Sequence, residues 1–234
     1  MKEELTYAES LHLLNDSSWK ALDISEKIAV LQAVENEFAR RENRQACNVS
    51  PKYIPTREND GIAMGFYSPR TKEIAINMEQ LSSDSKYGND SIAHLDTVLH
   101  EGRHAYQDQA VKGIIWHDNT GELSQWRMNM KPGNYIPYEQ NPRAYYKQPI
   151  ERDAFAYADR MVKQIKQEQT RLREINARYG QDVSAAKTVY LQQMAEGEKS
   201  DLSAAKVQYL GQHDHEREQG KDTGEKMRKG ISKR

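Results

Sequence analysis

The chain has 234 residues, 37% of them hydrophobic and 29% charged, with a formal net charge of −1. That balance offers no basic field to hold a nucleic-acid backbone, and no apolar run approaches the length needed to cross a bilayer. A single cysteine, Cys47, excludes an internal disulfide and favours a reducing compartment.

The start, Met1 to Leu5, lacks the apolar core of a signal peptide. The expected location is therefore the cytoplasm, or outside it by a route that needs no visible signal. The hydrophobic fraction is low for a globular chain, and the apolar clusters lie mostly before about residue 160. The expected organisation is a compact domain over 1–165, a helical extension over 166–210 and a disordered polar tail over 211–234.

In chain order, the first strong signal is a helix over 23–43. Asp23 caps it, Glu26 is the reciprocal partner, and Ile28, Leu31, Val34 and Phe38 recur at helical spacing. Trp19 and Leu22 are expected near its start. Residues 44–61, with Pro51, Pro55 and Asn59-Asp60-Gly61, read as irregular. A hairpin follows, with arms 62–67 and 73–78 joined by the turn residues 68–72. Ile74 and Ile76 alternate with Ala75 and Asn77, as in a half-buried strand.

A second long helix is expected from Asp90 or Ser91 to Gly113, with Ile92, Leu95, Leu99, Gly102 and Tyr106 on one face. A shorter helix should cover 121–130, and a loop rich in proline and tyrosine should cover 131–149. A last strong helix opens near Pro149 or Ile150. Beyond residue 160 the pattern becomes charged. Asp182 to Leu191 reappears as Asp201 to Leu210, a short internal repeat offset by 19 residues. These elements describe a mainly helical α+β fold with a small sheet and a helical C-terminal extension.

Chemistry concentrates in the second long helix. Leu99-His100-Glu101-Gly102-Arg103-His104 contains His-Glu-x-x-His. Histidines at i and i+4 share one face of a helix and can bind one zinc ion. Glu101, rotated by about 100° around the axis, can reach the open side and act as a base toward zinc-bound water. Gly102 in mid-helix suggests a close approach of another group. A catalytic zinc needs a third protein ligand. His117 and Glu151 are the two candidates; a metzincin-type histidine six residues after His104 is excluded, because Ala110 stands there.

Glu151-Arg152-Asp153-Ala154-Phe155-Ala156-Tyr157-Ala158 resembles the third-ligand helix of gluzincin metallopeptidases. Among these it is most similar to the compact ImmA/IrrE-type peptidase domains and the related domains of phage and bacterial toxin systems. Glu151, Ala154, Tyr157 and Ala158 occupy the matching positions, over a resemblance spanning roughly 60–165. The gap between the two motifs is longer here, and the tyrosine-rich loop is additional.

The resemblance implies a zincin-like domain and a zinc peptidase acting on a protein or peptide, with Glu151 as third ligand. It also implies that the strand Glu73 to Met78 is an edge that takes an extended substrate. Tyr146, Tyr135, Tyr138, Tyr145 and His117 are candidates for a donor to the developing oxyanion. Asp96 and Asp153 are candidates to orient a ligand imidazole. His94 reads as core, and His213 and His215 as solvated tail. The rival reading is a non-catalytic binding protein with a structural or vestigial zinc site, docking a partner through its C-terminal helices.

Overall fold

The computed structural model describes residues 5–55 and 62–179. Its elements run α1 (Tyr7–Leu13), α2 (Asp16–Ala21), α3 (Ile24–Arg41), β1 (Asn48–Lys52), β2 (Gly65–Ser68), β3 (Glu73–Asn77), α4 (Met78–Leu81), α5 (Ser91–Val111), α6 (Thr120–Asn129), α7 (Pro142–Tyr145) and α8 (Pro149–Tyr179). This is a mainly helical α+β fold. Residues 1–169 form one unit; residues 170–179, the end of α8, belong to a second. The expected repeat and charged tail lie outside the described residues. Among the described residues no helix is long and apolar enough to cross a membrane.

The helix starts follow local chemistry. Asp23 and Glu26 form the expected reciprocal cap of α3. Thr6 and Glu9 do the same for α1, a short helix the hydrophobic pattern does not announce. Asp90 caps α5, and Gly113, at φ +71°, follows its end as expected. The buried side chains Leu31, Val34 and Phe38 of α3 and Leu95, Val98 and Leu99 of α5 supply much of the core, and α5 packs on α3, β2 and β3.

The sheet corrects two expectations. The stretch expected to be irregular contains β1, which pairs parallel with β3 from Asn48–Glu73 to Lys52–Asn77. Pro51 has no N–H to offer a ladder, so an edge position suits it. The hairpin of β2 and β3 forms as expected, but β3 lies in the centre of the order β1-β3-β2. Its Ile74, Ala75, Ile76 and Asn77 are all buried. A strand with neighbours on both sides cannot accept a third, so Glu73 to Met78 is not a substrate-binding edge. Met78 has already left the strand and begins α4.

The loop that leads into α5 is tied down by buried polar groups. Lys27 Nζ donates to the carbonyls of Leu81 (2.9 Å) and Gly88 (2.8 Å). Trp19 Nε1 also donates to Gly88 O, at 3.1 Å. His94 Nε2 lies 3.1 Å from both Gln80 O and Tyr87 O. These bonds fix where α5 begins, and so where its later residues stand.

Candidate metal centre

The positions around α5 divide by direction. His100, Glu101 and His104 line a cleft of about 1020 Å³, while Gly102 and Arg103 turn toward the interior. A Cβ at Gly102 would sit 2.8 Å from Arg44 Nη2 and 2.9 Å from Glu35 Oε2. Those atoms belong to a fully buried ion pair, with Arg44 Nη1–Glu35 Oε1 at 2.6 Å and Arg44 Nη2–Glu35 Oε2 at 2.7 Å. The mid-helix glycine is therefore the space into which this pair packs.

His100, His104 and Glu151 converge, and among the described residues they form the one group of His, Cys, Asp or Glu side chains that could hold a metal ion. His100 Nε2 lies 3.1 Å from His104 Nε2. Glu151 Oε2 lies 3.3 Å from the first and 3.5 Å from the second. A tetrahedral ion with bonds of 2.0–2.1 Å separates its ligand atoms by about 3.3–3.4 Å, so the three atoms fit one face of such a site.

The carboxylate supports the same fit. The Glu151 side chain is 2% exposed, and its Oε2 accepts no hydrogen bond. A buried carboxylate oxygen left without a donor is costly unless a cation faces it. The other oxygen, Oε1, accepts from the Tyr135 hydroxyl at 3.0 Å. Ala154 and Ala158, one and two turns further along α8, are fully buried, as small residues between closely packed helices should be.

The electrostatics concentrate negative charge where the three side chains meet. Burial acts to raise the Glu151 pKa, but His100 and His104 outweigh it and hold the carboxyl well below the usual range. Burial acts to lower the His104 pKa, but Glu151 and Glu101 outweigh it and push His104 up to about 9. Burial and the Glu151 carboxylate raise Tyr135 and Tyr145, so both phenols stay protonated and able to donate.

The two histidines are held differently from behind. His104 Nδ1 lies 2.9 Å from Gln107 Oε1. Gln107 Nε2 donates to Ile150 O (3.0 Å) and to Asp153 Oδ2 (2.8 Å). Arg103 clamps Asp153, with Nε–Oδ2 at 2.8 Å and Nη2–Oδ1 at 3.3 Å. Asp153 thus reaches a ligand imidazole through an amide, which α5 alone does not reveal. The His100 ring rests against Phe155 at 4.4 Å, and its Nδ1 has no hydrogen-bond partner. Asp96 lines the cleft without bonding to it.

Glu101 stands in the cleft with its Oε2 accepting from the Tyr67 backbone N–H at 2.8 Å. Tyr67 lies on β2, the edge strand that forms one wall. The opposite wall includes Tyr135, Tyr138, Tyr145 and Tyr146, whose rings meet edge to face. Tyr146 is half exposed and packs on Phe155 at 5.2 Å; the hydroxyls that act on Glu151 are those of Tyr135 and Tyr145.

His117 stands apart from the group of His100, His104 and Glu151. Its Nδ1 meets the Tyr106 hydroxyl at 3.0 Å and its Nε2 meets Glu122 Oε2 at 3.2 Å. Its ring lies 4.4 Å from Trp126, outside the metal-ligating group. His94 is core, as expected, and His213 and His215 lie outside the described residues. Compared with family models, with curated proteins and with solved structures, the chain gives no match.

Proposed function

We propose that this chain is a zinc-dependent peptidase of zincin-like architecture, with its ion held by His100, His104 and Glu151. The observation that carries the reading is the set of donor atoms 3.1–3.5 Å apart, opening on a cleft that Glu101 also lines. A structural zinc site is closed by four protein ligands. Among the described residues this group has three, which supports a catalytic site over a structural one.

Bound zinc supplies Lewis-acid chemistry, polarising a carbonyl and making water a better nucleophile at neutral pH. Glu101 takes the proton from the attacking water on its carboxylate and passes it to the nitrogen of the leaving amine. The hydrogen bond from Tyr67 holds one Glu101 oxygen, so the carboxylate keeps a fixed direction while the other oxygen handles the proton. Tyr135, Tyr145 and Tyr146 form the wall against which the scissile region lies, and the protonated phenols of the first two can donate to developing negative charge. The edge of β2 offers an extended peptide a backbone to lie along. No lysine or arginine lines the cleft among the described residues, whereas Asp96 and Glu139 do, which favours peptides without acidic side chains near the cut.

The test is zinc content by elemental analysis. Wild type and His117→Ala should carry about one zinc per chain, and Glu151→Ala should carry little. Zinc-free wild type, or full zinc in Glu151→Ala, would overturn the assignment.

A further inference from the structure

We propose that Gln107 is a positioning residue that keeps the proton of His104 on Nδ1 and leaves Nε2 bare for the ion, with Asp153 and Arg103 setting Gln107 itself. The inference rests on the zinc reading above and adds to it the device that makes one ligand ready.

A glutamine side chain has a donating and an accepting end, and its environment decides which faces where. One end of Gln107 lies 3.0 Å from Ile150 O and 2.8 Å from Asp153 Oδ2. A backbone carbonyl and a carboxylate only accept, so this end must be the NH2. The oxygen then faces His104 Nδ1 at 2.9 Å. An amide oxygen only accepts, so Nδ1 must carry the proton. The neutral ring then has its lone pair on Nε2, the atom that faces His100 and Glu151.

The device is held rigidly. Gln107 has no exposed surface. Asp153 is kept a fixed acceptor by the fork of Arg103. Arg103 is held in turn by Glu42, with Nη1–Oε1 at 3.0 Å, and Glu42 by Arg44, with Oε2–Nε at 2.8 Å. Turning the amide over would set its oxygen against two acceptors in a buried site. The same bonds join α5 to α8: Gln107 follows His104 by one turn, and Asp153 follows Glu151 by two residues. One network therefore sets both the tautomer of a ligand and the spacing of the helices that carry the ligands.

The test uses the full chain and cobalt(II), whose visible absorption reports coordination geometry. Gln107→Met preserves shape and removes both polar ends, whereas Gln107→Glu, sharing a proton with the Asp153 carboxylate, keeps a donor toward Asp153 and an acceptor for His104. Competition with a chelator should show cobalt affinity falling about 10- to 100-fold in Gln107→Met, with altered absorption bands. Gln107→Glu should recover most of the affinity and the wild-type spectrum. Wild-type affinity and spectrum in Gln107→Met would overturn the proposal, as would an equal loss in both variants, which would mark a packing role. If Gln107→Met does not fold, Asp153→Asn serves: a smaller but measurable loss is expected, and no loss overturns the proposal. Failure of the wild type to take up cobalt would instead overturn the metal reading beneath it.

Discussion

The two halves of α5 both bury histidine, and they use it in opposite ways. In the first half, His94 Nε2 faces two backbone carbonyls and so must carry the proton. Its bare Nδ1 is buried with no partner, and burial pushes its pKa down to about 4. In the second half, His104 keeps its proton on Nδ1 and turns Nε2 toward a carboxylate and a second imidazole, and its pKa is pushed up to about 9. His94 is fully buried and the His104 side chain is 15% exposed, too small a difference to separate their roles. The difference lies in which nitrogen is fixed by neighbours and what the other one meets.

The comparison can be broken most directly at Glu101. If the second half of the helix performs the chemistry, Glu101→Gln should lower peptide hydrolysis by about 10²- to 10⁴-fold while zinc content stays at the wild-type level. His94→Gln should leave hydrolysis intact, since the amide can still donate to a carbonyl. Digestion of a mixed peptide pool followed by mass spectrometry, with zinc analysis beside it, reads both. Normal turnover by Glu101→Gln would sink the mechanism.

A smaller effect is expected at Gly102, between the two ligands. A methyl group there must displace Arg44 or Glu35, which form a buried pair 1% exposed on each side. Alanine would gain about 1 kcal/mol of helix propensity. Disturbing a well-packed buried ion pair costs more, so Gly102→Ala should destabilise the protein by about 2–3 kcal/mol net. Urea unfolding measures this, and a stabilised variant would show that the pair is free to move aside.

The same contrast explains what could be read without coordinates. The α3 and α5 helices are legible because Asp23, Glu26 and Asp90 sit before apolar residues at helical spacing, and the histidine pair because its spacing is local. The α1 cap was equally available in Thr6 and Glu9, but seven residues give too short a hydrophobic pattern to confirm it. β1 was not legible: a five-residue strand containing Pro51 has weak propensity, and its parallel partner lies some distance along the chain. The central position of β3 is hidden for the same reason. Position leaves Glu151 and His117 both open and only resemblance favours Glu151, while its partner Tyr135 is one of several tyrosines with no local mark. Gln107 carries no signal in the sequence, because its role depends on how α8 lies across α5.

The remaining prediction concerns acid, and it separates the two histidines by sign. His94 has a folded pKa of about 4 against an ordinary value of 6.5. The unfolded chain therefore binds a proton in this interval and the folded protein does not. Stability from keeping His94 neutral is complete above the unfolded value and is lost as pH falls toward 4. Between pH 7.5 and pH 5 the loss should be about 2 kcal/mol. His104 in the metal-free protein has the reverse dependence: its pairing with Glu151 is fully stabilising below 6.5 and fades as pH rises through about 9. Zinc should remove that alkaline dependence, because the ion replaces the proton, and should leave the acid one at His94 untouched. Urea unfolding of wild type and His94→Gln at pH 7.5 and 5 isolates the acid limb. If both proteins lost the same stability, the buried ring would not be a source of the acid sensitivity, and the asymmetry along α5 would reduce to the metal site alone.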